Sequence, residues 1–473
     1  MLQYSFNYCI INTICIMEAN MVHLDLLKSR KAELLEKSKE VRQNVSSIVD
    51  EGSFVEFNSF SFAKNEFYDK TVDGLGVLTG YATVDGYPVY VVAQNKNVLN
   101  GSISKANADK IAECLSKAYN QELPVIYFLE SQGVQVGEGV AVLEGISTLL
   151  SASNAIKDVA PQIVIATGDV LGSTSLLASN ADFVFAVNGA CISFASPTVL
   201  SASKNGATKA DVANAKNSVK TFDVKSLDEV KAKILQIFNV LPRFSGYEVD
   251  SSDDFMRSAP SLNNGADAES LINATFDNGE FVKMNEGYAS SVITGIGRVG
   301  GISTAGIVFD GGENGVDITL DVVLKIKNFA TFASDNKLPV VMFVNTNGIK
   351  IDDETSNSPV TVEFMNMLYN LSDLKRVTVV YGKAIGLGYA FASKALGSDY
   401  NYAFAGAKIS LLDGFAGISA TFGTVDPEEV EKLSAKYLEE QDGFNSAKLG
   451  CIDNIIEPEN VRQYVISALQ MIL

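Results

Sequence analysis

The feature that most constrains this chain is that it repeats itself. GVLTGYATVDGYPVYVVAQ, beginning at Gly76, aligns with SVITGIGRVGGISTAGIVF, beginning at Ser291. Thr79, Gly80 and Gly86 fall on Thr294, Gly295 and Gly301, each 215 positions further on. Leu123-Pro124-Val125 falls on Leu338-Pro339-Val340, and Gly133 on Gly348, at the same offset. The segment Gly168 to Gly172 matches Gly382 to Gly386 with one residue of drift, and Asp182 and Ser193 match Asp399 and Ser410. A preceding segment recurs as well: DEGSFVEF from Asp50 resembles DNGEFVKM from Asp277. Register kept over such a length makes the chain a tandem duplication of a unit of roughly 200 residues.

Each unit alternates strand with helix. Val89–Ala93 and Val125–Leu129 are short apolar runs suited to buried strands. Between them, 106–120 places Ile111, Cys114, Leu115 and Ala118 on one helical face. The second copy gives a strand over 304–309, a helix over 320–332 and a strand over 340–344. Strand, helix, strand at this spacing predicts crossover connections and a mixed or parallel sheet, an α/β fold. The polar stretch Ser245 to Gly265 reads as the linker, giving an N-terminal domain over 21–255 and a C-terminal domain over 256–473. Asp426-Pro427-Glu428-Glu429 is a helix start, with a cap, a first-turn proline and carboxylates at the positive end. Leu27, Leu34 and Val41 lie at heptad spacing and predict packing on the body of the protein or on a neighbouring subunit. Residues 1–20 are set aside as an untranslated or disordered extension: Met17 and Met21 both precede the first amphipathic segment, and no basic signal-peptide region leads it.

Composition removes several function classes. A formal charge of −19 repels phosphate backbones and anionic membranes, so no nucleic acid is expected as partner. The five cysteines are scattered without a CxxC pair, which reads as a reduced, cytoplasmic chain, with Cys114 and Cys191 as inert core thiols. The single histidine, His23, lies in the N-terminal segment, so Ser-His-Asp, Cys-His and His-ligated zinc chemistry lack their central residue. No metal site is expected. No Walker-type phosphate loop, no AMKM biotin-attachment tetrapeptide and no long apolar span is present in the sequence.

What remains is backbone chemistry. Each copy has two glycine-containing loops after buried strands: Gln132-Gly133 and Asn347-Gly348, then GDVLGS (Gly168 to Ser173) and GKAIGLG (Gly382 to Gly388). A strand ending in glycine and opening a helix exposes N–H groups under a favourable dipole, a place to stabilise an anion or a developing oxyanion. Taken singly, each loop reads first as a tight turn; it is four of them in matched positions that point to function.

From about Asp50 to the C-terminus the residues resemble the crotonase-like carboxyltransferases, the propionyl-CoA carboxylase β subunits and the α subunits of methylmalonyl-CoA and glutaconyl-CoA decarboxylases. GSFVEF, DGLGVLTGYATVDGYPVYVVAQ, Ala181-Asp182-Phe183, KAIGLGYAFASKALGSDYNYAF and GCIDNIIEPENVR (Gly450 to Arg462) carry the resemblance. It implies two copies of the ClpP/crotonase βαβ spiral fold and transfer of a carboxyl group between N1 of biotin and the α-carbon of a small acyl-CoA. It implies oxyanion holes made of backbone amides, those of Gly172 and Ser173 in the N-half and of Leu387 and Gly388 in the C-half. Gly133, Gly168, Gly348 and Gly386 would line the spaces for the coenzyme A thioester and biotin. It also implies a site shared between the N-half of one subunit and the C-half of another, hence a homo-oligomer of dimer units, up to a hexamer. The biotin would ride on a separate carboxyl carrier protein, served by a biotin carboxylase or a membrane decarboxylase subunit.

Several loop positions depart from the family: Ser173 and Leu387 stand where it has glycine, the glycine run of the second N-half loop is reduced to Gly172, and the loop Asn345 to Asp352 loses a proline. A glycine has become Gln132, an arginine has become Gln135, and in the C-half a glycine has become Asp352. Side chains there are expected to crowd the thioester or biotin space. They define the rival reading, a catalytically degenerate paralogue that scaffolds or regulates an active partner. A third reading, hydration or isomerisation, needs a positioned carboxylate, for which Glu130, Glu138 and Glu354 are the candidates against their plainer role as solvated loop carboxylates.

Overall fold

The computed structural model describes residues 23–65, 70–195, 219–251, 253–412, 417–420, 426–440 and 442–473; the extension 1–20 lies outside the described residues. By contacts the chain divides into two compact units, Met1–Ala215 with Asp223–Lys231, and Lys216–Phe222 with Ala232–Leu473.

The first unit is built on β1 (Val55–Phe57), the antiparallel pair β2 (Phe62–Asn65) and β3 (Lys70–Asp73), β4 (Val77–Val84), β5 (Tyr87–Gln94), β6 (Val125–Ser131), β7 (Gln162–Leu171), β8 (Phe183–Val187), β9 (Ile192–Ser193) and β10 (Phe222–Val224). The main sheet runs β1-β4-β5-β6-β7-β8-β10, with β9 added beside β7. β4 and β5 form an antiparallel hairpin, and β5, β6, β7 and β8 are parallel. Helices α1 (Lys105–Gln121) and α2 (Val140–Ile156) cross between β5, β6 and β7. α1 starts where Ser104 accepts the Asn107 amide in a capping box, and it buries Ile111, Cys114, Leu115 and Ala118, the face that the periodicity predicts.

The second unit repeats this plan with β11 (Phe281–Met284), β12 (Val292–Val299), β13 (Ile302–Phe309), β14 (Val316–Ile318), β15 (Val340–Ile349), β16 (Arg376–Ile385), β17 (Tyr400–Phe404), β18 (Lys408–Ser410) and β19 (Asn454–Ile456). The order is β11-β12-β13-β15-β16-β17-β19, with β14 beside β15 and β18 beside β16. Its crossovers include α3 (Leu320–Asp335), capped by Thr319 at the place of Ser104, and α4 (Val360–Ser372). Both sheets therefore have parallel centres, and the candidate segments lie at the C-terminal ends of parallel strands, where open α/β sheets bind ligands; Gly168, Gly348 and Gly382 are still inside β7, β15 and β16 rather than in loops after them.

Small fastenings recur with the sheets. Asp50 accepts Thr83 Oγ1 and the amides of Asp85 and Gly86 at the β4–β5 turn. Asp277 accepts the amides of Gly300 and Gly301, at 2.8 and 2.7 Å, at the β12–β13 turn. Asp182 takes the Gln162 amide and Asp399 the Arg376 amide, both at 2.7 Å. Among the described residues each unit also buries one lysine, 215 positions apart: Lys110 donates to Val77 O at 2.7 Å, and Lys325 to Asn285 O and Tyr288 O at 2.9 and 2.7 Å. Burial pushes both ammonium groups down to about 8. The core thiol of Cys114 is pushed up to about 12 by burial and points at Val91 O.

The stretch read as a linker is ordered against the second unit. Val249 N–H reaches Gly301 O, Tyr247 O accepts the Ser303 amide, and Arg257 donates to Asn273 O and Phe276 O. The C-terminal helix α5 (Val461–Ile472) is locked into the same unit by Arg462, buried on Asp277, Thr275 O and Asp254 O. Leu27 is exposed while Val41 is buried, so the N-terminal heptad row meets the body only at its C-terminal end. The helix foreseen at Asp426 spans Pro427–Glu440.

Candidate active site

In the first unit two strand ends meet. Past β6, Gly133 donates its amide to Ser131 Oγ at 3.1 Å, and Thr174 Oγ1 donates to the same hydroxyl at 3.0 Å. Gly133 O accepts the Ile103 amide at 2.8 Å. At the end of β7, Gly172 turns the chain at φ +64° into the short helix Thr174–Ser179. A Cβ on Gly172 would stand 3.1 Å from Gly133 Cα, so the two loops lie backbone against backbone.

The second unit makes a related arrangement shifted by two residues, for Gly386 takes the repeat position of Gly172 but Gly388 lies against Gly348. Gly348 donates to Thr346 Oγ1 at 3.1 Å, and that hydroxyl donates to Val316 O at 2.6 Å. Gly386 turns the chain at φ +54° into a 3-10 segment, Gly386–Ala392. A Cβ on Gly388 would stand 3.6 Å from Gly348 Cα and 2.5 Å from Thr346 Cγ2; one on Gly348 would meet Ile385 O at 2.7 Å. Close approach thus requires Gly348 and Gly388 and crowds Gly172, whereas at Gly133 the backbone φ of +109° is what favours glycine; each pair forms a backbone cradle.

The structure therefore brings Gly133 to Gly172 and Gly348 to Gly388. It does not bring Gly168 there: a Cβ at Gly168 would overlap the Glu130 side chain, as one at Gly382 would overlap Asn345. Those glycines make room for a neighbouring strand's side chain. Gly386 supplies the left-handed turn. The implied donor pair of the N-half needs correcting, since the Gly172 amide is already given to Ser193 O at 3.0 Å. Ser173 N–H has no acceptor among the described residues, and Ser173 sits at φ −61°, ψ −21°. Leu387 extends its side chain to the surface of the unit while Gly388 is buried.

The departures from the family occupy less space than their size suggests. Gln132 is exposed, and Gln135 is turned inward with its amide towards Leu99 O. Asp352 caps a helical turn by accepting the Thr355 amide; Lys350 beside it, with that amide, holds its carboxyl down to about 2. Glu138 accepts the Lys105 amide at the start of α1, and Glu130 lies 3.6 Å from Lys96. Those two carboxylates have structural partners; Glu354 lies exposed in the turn capped by Asp352. Sequence reasoning missed the hydroxyls that hold the loops, Ser131 and Thr346. Their signal was there: a hydroxyl residue two positions before the loop glycine in both repeats.

A duplicated, parallel-centred α/β fold with glycine turns at its strand ends is what the resemblance to the crotonase-like carboxyltransferases implies. The carboxyl transferase domain matches residues 35–473, and the chain belongs to that family. It is 28% identical to the methylmalonyl-CoA decarboxylase subunit alpha of Veillonella parvula, covering 91% of this chain and 89% of that protein. It is 26% identical to the carboxyltransferase subunit of propionyl-CoA carboxylase from Haloferax mediterranei, covering 91% and 90%. In fold it is similar to transcarboxylase 12S, a hexamer crystallised with methylmalonyl-coenzyme A and methylmalonic acid bound, with a TM-score of 0.86 at 22% identity over 94% of each chain. No described helix is long and apolar enough to cross a membrane.

Proposed function

We propose that this protein moves a carboxyl group between biotin on a separate carrier protein and a small acyl-CoA, as part of a homo-oligomeric carboxylase or decarboxylase complex. The observation that supports this best is that each unit sets a loop glycine against the chain at the C-terminal end of the next parallel strand, Gly133 against the turning glycine Gly172 and Gly348 against Gly388, two residues past the turning glycine. Such a cradle admits a flat carbonyl group to the backbone, and open amides beside it stabilise the oxygen as negative charge develops. In the N-half the open amide is that of Ser173; in the C-half the role falls to Leu387 and Gly388. The thioester oxygen of an acyl-CoA and the ureido oxygen of biotin are the two groups that these amides would hold, one for each cradle. Bound biotin supplies a carboxyl group that can leave and return; the chain's part is to orient both reactants and hold the charge. No side-chain base is required, which suits a chain whose one histidine lies in the exposed N-terminal helix.

The test is reverse transfer: the full chain with malonyl-CoA or methylmalonyl-CoA and a biotin acceptor, following loss of the carboxyl group. Ser173→Pro removes one N–H at a φ that proline already favours. Biotin-dependent turnover that falls about a hundredfold in this variant, with the fold retained, is the expected result. No turnover and no CoA-ester binding would point instead to the scaffold subunit.

A further inference from the structure

The two cradles share a backbone but differ in charge beside it. In β16 and β18, Lys383 and Lys408 are register partners. Partners in a parallel pair leave the sheet on the same face, with strands about 4.8 Å apart. Lys383 Nζ donates to Asn314 O at 3.1 Å, and neither lysine has a carboxylate partner among the described residues. In a chain with 56 acidic and 37 basic residues this is unusual company for a cation. Lys350, in the neighbouring loop, finds Asp352 at 2.5 Å. Lys408 also faces Asp442 across an isolated antiparallel bridge, but that carboxylate takes the Asn445 amide; like charges directly opposite destabilise a sheet, so two lysines in register with no ion pair among the described residues need another reason to be there.

The first repeat shows that the architecture does not demand them. The equivalent positions are Asp169 and Cys191, where Asp169 Oδ1 accepts the Cys191 amide at 3.3 Å. One unit thus places a carboxylate three residues before its turning glycine, Gly172, and the other places a lysine three residues before Gly386. We propose that Lys383 and Lys408 form a seat for an anionic oxygen group, carboxylate or phosphate, beside the C-half cradle. That the group belongs to an acyl-CoA substrate rests on the carboxyltransferase reading; the seat itself does not. The same chemistry has two sources there, a substrate carboxylate or a coenzyme A phosphate.

The experiment uses the full chain, its Lys383→Gln and Lys408→Gln variants, the double variant, and a double arginine variant. Thermal unfolding is followed with inorganic phosphate or malonate at constant ionic strength, and binding of malonyl-CoA, acetyl-CoA and free CoA by calorimetry. Without ligand, the double glutamine variant should unfold at or above the wild-type temperature, because a repulsion has been removed. Phosphate or malonate should raise the unfolding temperature of the wild type and the arginine variant but not of the double glutamine variant. Malonyl-CoA affinity should fall about tenfold per lysine, the worth of one charge-assisted hydrogen bond at a partly exposed site. An equal loss for acetyl-CoA assigns the seat to a phosphate; a loss confined to malonyl-CoA assigns it to the carboxylate. Equal anion responses in wild type and double glutamine variant, or none in either, overturn the seat. An intact anion response without any CoA-ester binding keeps the seat and overturns the carboxyltransferase reading.

Discussion

The two repeats solve the same backbone problem with different amounts of room. In the first unit a Cβ on Gly133 would find its nearest neighbour at 3.7 Å, although one on Gly172 would stand 3.1 Å from Gly133 Cα. In the second, one on Gly348 would meet Ile385 O at 2.7 Å. The turn fastenings differ in the same sense. Asp50 holds its hairpin through a hydroxyl and two amides near the surface, whereas Asp277 is buried and shares its carboxylate with Arg462. Duplication preserved the path of the chain and let the tightness drift. At the first loop glycine and at the hairpin turn the second half is the more tightly fastened.

That contrast can be broken most forcefully at Arg462. Arg462→Ala would strand the buried Asp277 carboxylate and two carbonyl oxygens, and should cost about 3–5 kcal/mol by denaturant unfolding. If the loss is below about 1 kcal/mol, the second unit is not fastened as described. Next come matched alanines. Gly348→Ala, with a positive φ and a carbonyl in its way, should cost about 2–4 kcal/mol, while Gly133→Ala should cost about 1 kcal/mol, its φ of +109° being the only obstacle. Equal losses would remove the difference in room.

Acid provides a gentler probe. The Thr83 hydroxyl and the Gly86 amide hold the Asp50 carboxyl below the usual carboxylate range. Its contribution is therefore present above the ordinary aspartate value and disappears as pH falls through the lowered one. Asp50→Asn should cost about 1 kcal/mol at neutral pH and progressively less in acid; a pH-independent loss would contradict this. The smallest effect belongs to Gln132→Gly, which should change stability by less than about 0.5 kcal/mol because the side chain is exposed. A large gain in turnover from that variant would show that Gln132 crowds the cradle after all.

Much of this was legible beforehand because duplication leaves its mark at a fixed offset. Strands around Val89, Val125 and Val340 and the helix following Lys105 fall where apolar spacing places them, since burial in a parallel sheet demands continuous apolar runs. The pairing of Gly133 with Gly172 could be suspected but not seen, for nothing in either loop records which distant loop it touches. Gly168 illustrates the converse. It looks like a loop glycine, yet its reason is the Glu130 side chain on the neighbouring strand. Gly172 likewise carried no sign that its amide would be taken by Ser193. The opposition of Lys383 and Lys408 depends on strand register, which one sequence does not reveal.

The division of the chain into units has a consequence for anyone wishing to cut it. Lys216–Phe222 belongs to the second unit, yet Asp223–Lys231, which follows it, returns to the first. Asn285 holds Lys220 O and Thr221 O, so the early piece is bonded in the second unit. No single cut between 215 and 232 gives each fragment all of its own residues. On the ribosome the first half must likewise wait for Lys231 before it has all its parts, by which time a piece of the second has already emerged. Halves expressed separately should therefore be poor substitutes for the intact chain.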